Sequence, residues 1–216
     1  VVQLPESVSF EVAAGLGCRF ATAYRAVAQV AAVQPGERVA VFGCGGVGLA
    51  AIMIAKARGA DVAAIDVSHQ ALDRARLAGA DIRIDAQYDE VVRDVRAFGD
   101  DGVHVTIDAI GSIDTARSAV ESLRRRGRHV QVGLLPPVVV ADRATVPMHI
   151  VIGRELAILG SHGMAAASYP EMLALISTGQ LRPDTLIERI ITLEQTPEAL
   201  AQLSTQTTPG VTVITP

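Results

Sequence analysis

The 216-residue chain is half hydrophobic but only 3% aromatic, has no Trp, and carries a formal charge of −4. That length suits one substantial domain, or one and a fraction, with a core of Ala, Val, Ile and Leu, the residues of parallel sheets covered by helices on both faces. The acidic balance, with no basic stripe and no aromatic interleaving, excludes nucleic acid as a partner, and two cysteines exclude a disulfide scaffold.

The chain opens on "VVQLPESVS", without an initiator Met and as though partway through a strand, so a fragment or processed product is expected. No basic-then-apolar leader and no apolar run of the roughly 18 residues a membrane span needs are found, so a cytoplasmic protein with no membrane partner is expected. Residues 9–33 read as two helices, the second long and Ala-rich, halted at "QPGE". Cys18 lies here, in "GLGCRFATAYRAV" (15–27). On residue type alone it is either core filler or one ligand of a metal site completed elsewhere.

From residue 38 onward, strand-like and helix-like segments alternate. "RVAVFGC" (38–44), "DVAAIDV" (61–67), "DIRIDA" (81–86), "VHVTIDAI" (103–110) and "RHVQVGLL" (128–135) are short, β-branched apolar runs. Between them, "VGLAAIMIAKARG", "SHQALDRARLAGA", "YDEVVRDVRAF" and "DTARSAVESLRRRG" have helical period. The pattern predicts an α/β fold, a Rossmann-type doubly wound parallel sheet with right-handed crossovers, and "ELAILGSHG" (155–163) supplies a sixth strand. The basic cluster "RRRGR" (124–128) is expected at a helix end, where it complements the dipole. After 163 come a helix (168–179), a strand (186–193), a short helix after Pro197 and the final strand "GVTVIT". The expected division is 1–33 as a helical lead-in, 34–163 as a complete central domain, and 164–216 as a further piece of a second domain wrapped around it.

"VAVFGCGGVGLAA" places Gly43, Gly45 and Gly48 in G-x-G-x-x-G spacing between a strand and a helix. Gly43 permits the tight turn, Gly45 lets the backbone approach a pyrophosphate, and Gly48 lets the helix pack on the sheet. Gly46 and Val47 open the helix whose N–H groups would face the anion. Asp66, 23 positions beyond Gly43, stands where a carboxylate accepts from the adenosine ribose and repels a 2′-phosphate, favouring NAD over NADP. The next basic residue, Arg74, lies well into the following helix. Further cofactor contacts are expected at strand ends: Val67, Ala109 and Ile110 of "DAIGS", and Val132, Gly133 and Leu134 of "VGLLP". Asp108 is either such a contact or a strand-end cap.

The order "GLGCRFATAYRAV", "GERVAVFGCGGVGL", "AIDVS", "IDAIGS", "RHVQVGL", "LAILGSHG" resembles the zinc-containing medium-chain alcohol dehydrogenases over essentially the whole chain. The resemblance implies an enzyme that oxidises an alcohol to an aldehyde or ketone, or the reverse, with NAD and a catalytic zinc. It makes this chain the cofactor-binding part, inactive alone, of an enzyme whose GroES-like catalytic domain lies mostly upstream. It makes Cys18 a zinc ligand, sets Thr22 against the nicotinamide and Val47 behind its ring, and puts Val132, Leu134, Ile158 and Leu159 around its carboxamide. Cys44 is expected as filler beside the cofactor. The family's other zinc ligands, its structural zinc lobe and its Arg near the last strand are not found in the sequence. The five histidines are scattered and read mostly as surface or strand-end residues, His162 nearest the cleft. The alternatives are a zinc-free quinone or enoyl reductase of the same superfamily, or an NAD-sensing module without chemistry. A homodimer or homotetramer is expected through "PPVVVADRATVPMHIVIG" and "LAILGS".

Overall fold

The computed structural model describes residues 1–135, 146–202 and 210–216. The first ten residues of the interface run proposed above, 136–145, lie outside the described residues.

A helical run begins where the Ser9 side chain accepts from the Val12 N–H. Helices α1 (Phe10–Gly15) and α2 (Ala21–Tyr24) are joined by a π-type turn, Leu16–Phe20, and a second one, Arg25–Val30, follows without a break. The two helices expected over 9–33 are therefore one continuous run. No proline interrupts it, and Leu16, Phe20, Ala23, Tyr24 and Val27 give it one buried face. It stops at Ala32, whose φ of 49° leaves the helical region.

Six strands then form one parallel sheet: β1 (Arg38–Phe42), β2 (Asp61–Asp66), β3 (Ile82–Asp85), β4 (Val103–Asp108), β5 (Leu123–Gln131) and β6 (Ala157–Gly160). Their spatial order is β3-β2-β1-β4-β5-β6, the Rossmann-type arrangement. Helices α3 (Gly46–Ala57), α4 (His69–Leu77), α5 (Val91–Phe98), α6 (Ile113–Glu121) and α7 (Met148–Arg154) connect or follow them. Both faces are covered. Val39 and Val41 pack with α3 and the first helical run, while Ala40 and Phe42 pack with Val95 of α5 and Ala119 of α6. The strand order reverses between β1 and β4, and ligands of such sheets bind at that reversal, beyond the carboxyl ends of the strands.

The basic cluster is not at a helix end. Helix α6 closes at Glu121, and β5 starts at Leu123, so Arg124, Arg125 and Arg126 occupy an irregular stretch between the Leu123↔Val103 and Arg128↔Val105 pairs. Fully buried Leu123 draws the backbone into the sheet, whereas the three arginines remain exposed, Arg124 against His104 and Arg126 paired with Glu155. The carbonyls at the end of α6 are met by other cations. Nη1 of Arg96 and Nη1 of Arg154 each donate to the carbonyls of Glu121 and Leu123.

The remainder comprises α8 (Tyr169–Ser177), β7 (Ile187–Thr192), α9 (Thr196–Gln202) and β8 (Val211–Thr215). Strands β7 and β8 pair in parallel as a separate small sheet, with α1 packed against β8. No helix among the described residues is long and apolar enough to cross a membrane.

Candidate functional site

The turn between β1 and α3 sits at the strand-order reversal. Gly43 adopts φ +92°, and a Cβ there would come within 2.5 Å of the Ile110 side chain. A Cβ on Gly48 would overlap the Gly43 carbonyl oxygen, so the packing of α3 against the turn requires glycine. Gly45 is different: nothing lies within 4 Å of where its Cβ would be. Gly45 is also the N-cap of α3, makes no side-chain cap, and no acidic residue occupies the helix's first turn. The N–H groups of Gly46, Val47 and Gly48, in the first turn, have no acceptor within the helix, and the positive end of the helix dipole lies there.

Asp66 stands at the mouth of this turn. Its Oδ2 accepts from the Cys44 N–H at 2.7 Å and its Oδ1 from the Ser68 N–H at 2.9 Å, which orients the carboxylate and leaves lone pairs free. Arg74, the next basic residue along the chain, is ion-paired with Glu188 on β7. Cys44 is buried, and burial, aided by the Asp66 charge, pushes its thiol well up.

Around the turn, three apolar side chains stand out from strand ends: Val67 (55% exposed), Ile110 (49%) and Leu134 (76%). Ala109 and Val132 are half-buried beside them. The loops after β4 and β5 touch backbone to backbone, since a Cβ on Gly133 would overlap Gly111 and one on Gly111 would overlap Leu134. Ile158 and Leu159 lie within β6, paired with His129 and Val130, and not at its end. The residue just past the end is Ser161, whose N–H donates to the Gln131 carbonyl. Its buried hydroxyl has no partner among the described residues. Nothing in the sequence marks it, because a serine in "GSHG" reads as an ordinary turn residue.

Asp108 is a strand-end cap. It is fully buried and accepts from the N–H groups of Ile110 (2.8 Å) and Gly111 (2.9 Å), from Thr115 Oγ1 (3.1 Å) and from Gln131 Nε2 (3.0 Å). Gln131 Nε2 also donates to the Gly133 carbonyl, so its Oε1 accepts from His129 Nε2 at 3.1 Å. That assigns the proton to Nε2 and leaves His129 Nδ1 to accept from the Thr106 hydroxyl at 3.0 Å. His129, expected at a surface or strand end, is instead buried in the body of β5, and burial holds its pKa below the ordinary value. The polar line Thr106–His129–Gln131–Asp108 satisfies each member, which is what admits a histidine to this core. His69, His149 and His162 are exposed, and His104 is half-buried between the Arg38 N–H and the Arg124 guanidinium.

Cys18 is exposed in the π-type turn, and Thr22, one turn on, is buried. A cleft of about 310 Å³ runs from Cys18 and Arg19 to Arg189, Ile191 and Leu200. No three His, Cys, Asp or Glu side chains among the described residues could hold a metal ion together. One thiol does not fit a catalytic zinc, which takes three protein ligands.

The profile of the zinc-binding dehydrogenases matches residues 46–178. An alcohol dehydrogenase of Geobacillus stearothermophilus is 32% identical over 188 residues, 87% of this chain and 53% of the relative. Among solved structures, alcohol dehydrogenase TADH from Thermus sp. ATN1 matches 99% of this chain and 61% of its own, with 30% identity and a TM-score of 0.87. The 2R,3R-butanediol dehydrogenase of Bacillus subtilis matches with 27% identity and a TM-score of 0.88, over 100% of this chain and 60% of its own. The chain thus spans about half the length of the curated relative. A glycine turn at the reversal point of a six-stranded parallel sheet, with this profile laid across its strands, places the chain in the zinc-binding dehydrogenase family of alcohol dehydrogenase-type oxidoreductases.

Proposed function

We propose that the chain binds NAD for the interconversion of a small-molecule alcohol with its aldehyde or ketone. The observation that carries this reading is the uncapped N-terminus of α3 behind an unobstructed Gly45, with Asp66 fixed beside it. A pyrophosphate fits there, receiving the N–H groups of Gly46, Val47 and Gly48. The free lone pairs of Asp66 accept from ribose hydroxyls, and its charge repels a 2′-phosphate, which selects NAD over NADP. Val67 and Ile110 present apolar surface to the adenine. Val47, Val132, Gly133 and Leu134 flank the nicotinamide, with Ile158 and Leu159 behind them, and Ser161 offers its unpartnered hydroxyl to the carboxamide. NAD, when bound, would supply the hydride acceptor for the alcohol carbon. The chain's own residues orient it and exclude water.

Cys18 lines the cleft and Thr22 follows one turn on, in a helical lead-in that belongs, on this reading, with 164–216 to a second unit beside the NAD-binding residues 34–163. Cys18 remains the candidate for one zinc ligand. A lone thiol does not by itself fit the metal. The outer strand β6, with exposed Ile158 and the exposed Met148 and Ile152 of α7, is the surface assigned to self-association as a dimer or tetramer.

Titration with NADH and NADPH tests the cofactor reading. NADH is expected to bind at least about tenfold tighter, and Asp66→Ala to lose about 10- to 100-fold for NADH while narrowing the gap. Equal affinity for both cofactors, or none for NADH, would overturn it.

A further inference from the structure

We propose that Arg19 supplies the cation over the pyrophosphate of the bound dinucleotide, a role that rests on the NAD reading above. Arg19 follows Cys18 in the π-type turn and reaches across to the start of α3. A Cβ on Gly46 would lie 2.6 Å from Arg19 Cδ and 3.2 Å from both Nε and Nη1. Gly46 is not one of the three glycines of the G-x-G-x-x-G spacing, so neither the turn nor the packing of α3 calls for glycine there. The arginine does.

The guanidinium is held from the far side by the Gly210 carbonyl, which accepts from Nη1 at 3.3 Å, just before β8. No carboxylate pairs with it among the described residues. A cation in this place faces the positive end of the α3 dipole, with no acidic residue in the helix's first turn to relieve it. That arrangement is unfavourable when empty and becomes favourable once an anion lies between guanidinium and helix. The neighbouring cations are engaged elsewhere: Arg74 with Glu188, and Arg189 Nε with the Thr212 hydroxyl. Strand β8 carries no basic residue at all. The charge therefore comes from the first helical run, which already packs against α3.

Binding of NADH, ADP and adenosine to the wild-type chain, Arg19→Gln and Arg19→Lys separates the roles, with melting temperatures of the ligand-free proteins alongside. Arg19→Gln is expected to weaken NADH and ADP by about 10- to 100-fold and to flatten the salt dependence of both. Adenosine affinity and melting temperature should hold, and Arg19→Lys should recover part of the loss. Wild-type binding of NADH with no change in Arg19→Gln would overturn the Arg19 role alone. A loss for adenosine as large as for ADP would reduce Arg19 to a structural part. A wild-type chain that binds neither NADH nor ADP would sink the dinucleotide reading itself.

Discussion

The two sheets are made from the same residue types and differ in what covers them. In the six-stranded sheet, Val39 to Phe42 of β1 are buried on both faces, and helices close over each side. In the small sheet, Ile191 and Val213 are buried while Ile190 (54% exposed) and Ile214 (44%) stay open. Composition does not separate these strands; coverage does. A strand covered on both sides makes every side chain a packing residue, and the glycine turn inherits that rigidity. The small sheet packs through one face only. It is tied to the rest by α1 against β8, by the Arg74–Glu188 pair and by the Arg19 contact with Gly210.

Four measurements would break or sharpen this contrast. Gly48→Val should do the most damage, because its side chain must overlap the Gly43 carbonyl. A loss of about 3 kcal/mol or more in urea unfolding is expected, with loss of NADH binding. A near-wild-type midpoint would show that the turn can give. Next, Ile107→Ala in the large sheet should cost about 2–5 kcal/mol, whereas Ile214→Ala should stay within about 0.5 kcal/mol. Equal losses would erase the distinction between the sheets.

The pH response should also belong to the large sheet. His129 is held neutral by burial, so below its ordinary value of 6.5 the unfolded chain takes up a proton that the folded chain refuses. Stability is full above that value and falls as the pH drops through it. His104, also shifted down by burial, adds to the same slope. Melting temperatures between about pH 8 and pH 5 should fall less steeply in His129→Gln; an unaltered slope would remove His129 from the account. The smallest effect is expected at the tie between the sheets. Glu188→Gln should cost about 0.5 kcal/mol and lose that difference at high salt, as a partly exposed ion pair does.

Much of the large sheet was legible because its signal is local. Each strand is a short apolar run, each helix a periodic one, and the glycine spacing falls between the first of each. Strand β5 was misplaced because "LRRRG" has the charge of a helix end, while the burial of Leu123 depends on Val103, twenty residues away. His129 could not be read as buried, since Thr106 and Asp108, which help satisfy its hydrogen-bonded line, come from β4. The choice between two roles for Asp108 likewise waited on Gln131 and Thr115. Arg19 is the extreme case: its backbone partner, Gly210, is 191 residues away. Contacts of that kind leave no period and no spacing.

The backbone contact between the loops after β4 and β5 limits how this rim can vary. With Gly111 and Gly133 pressed together, neither loop admits a side chain at the crossing. Lengthening one loop would also displace the other. Variation in what the rim holds must then enter through the outward side chains of Val67, Ile110 and Leu134, which can be exchanged without moving the main chain. The rim is a fixed frame with three replaceable faces, and a change of ligand preference, natural or engineered, has its shortest mutational route through those positions.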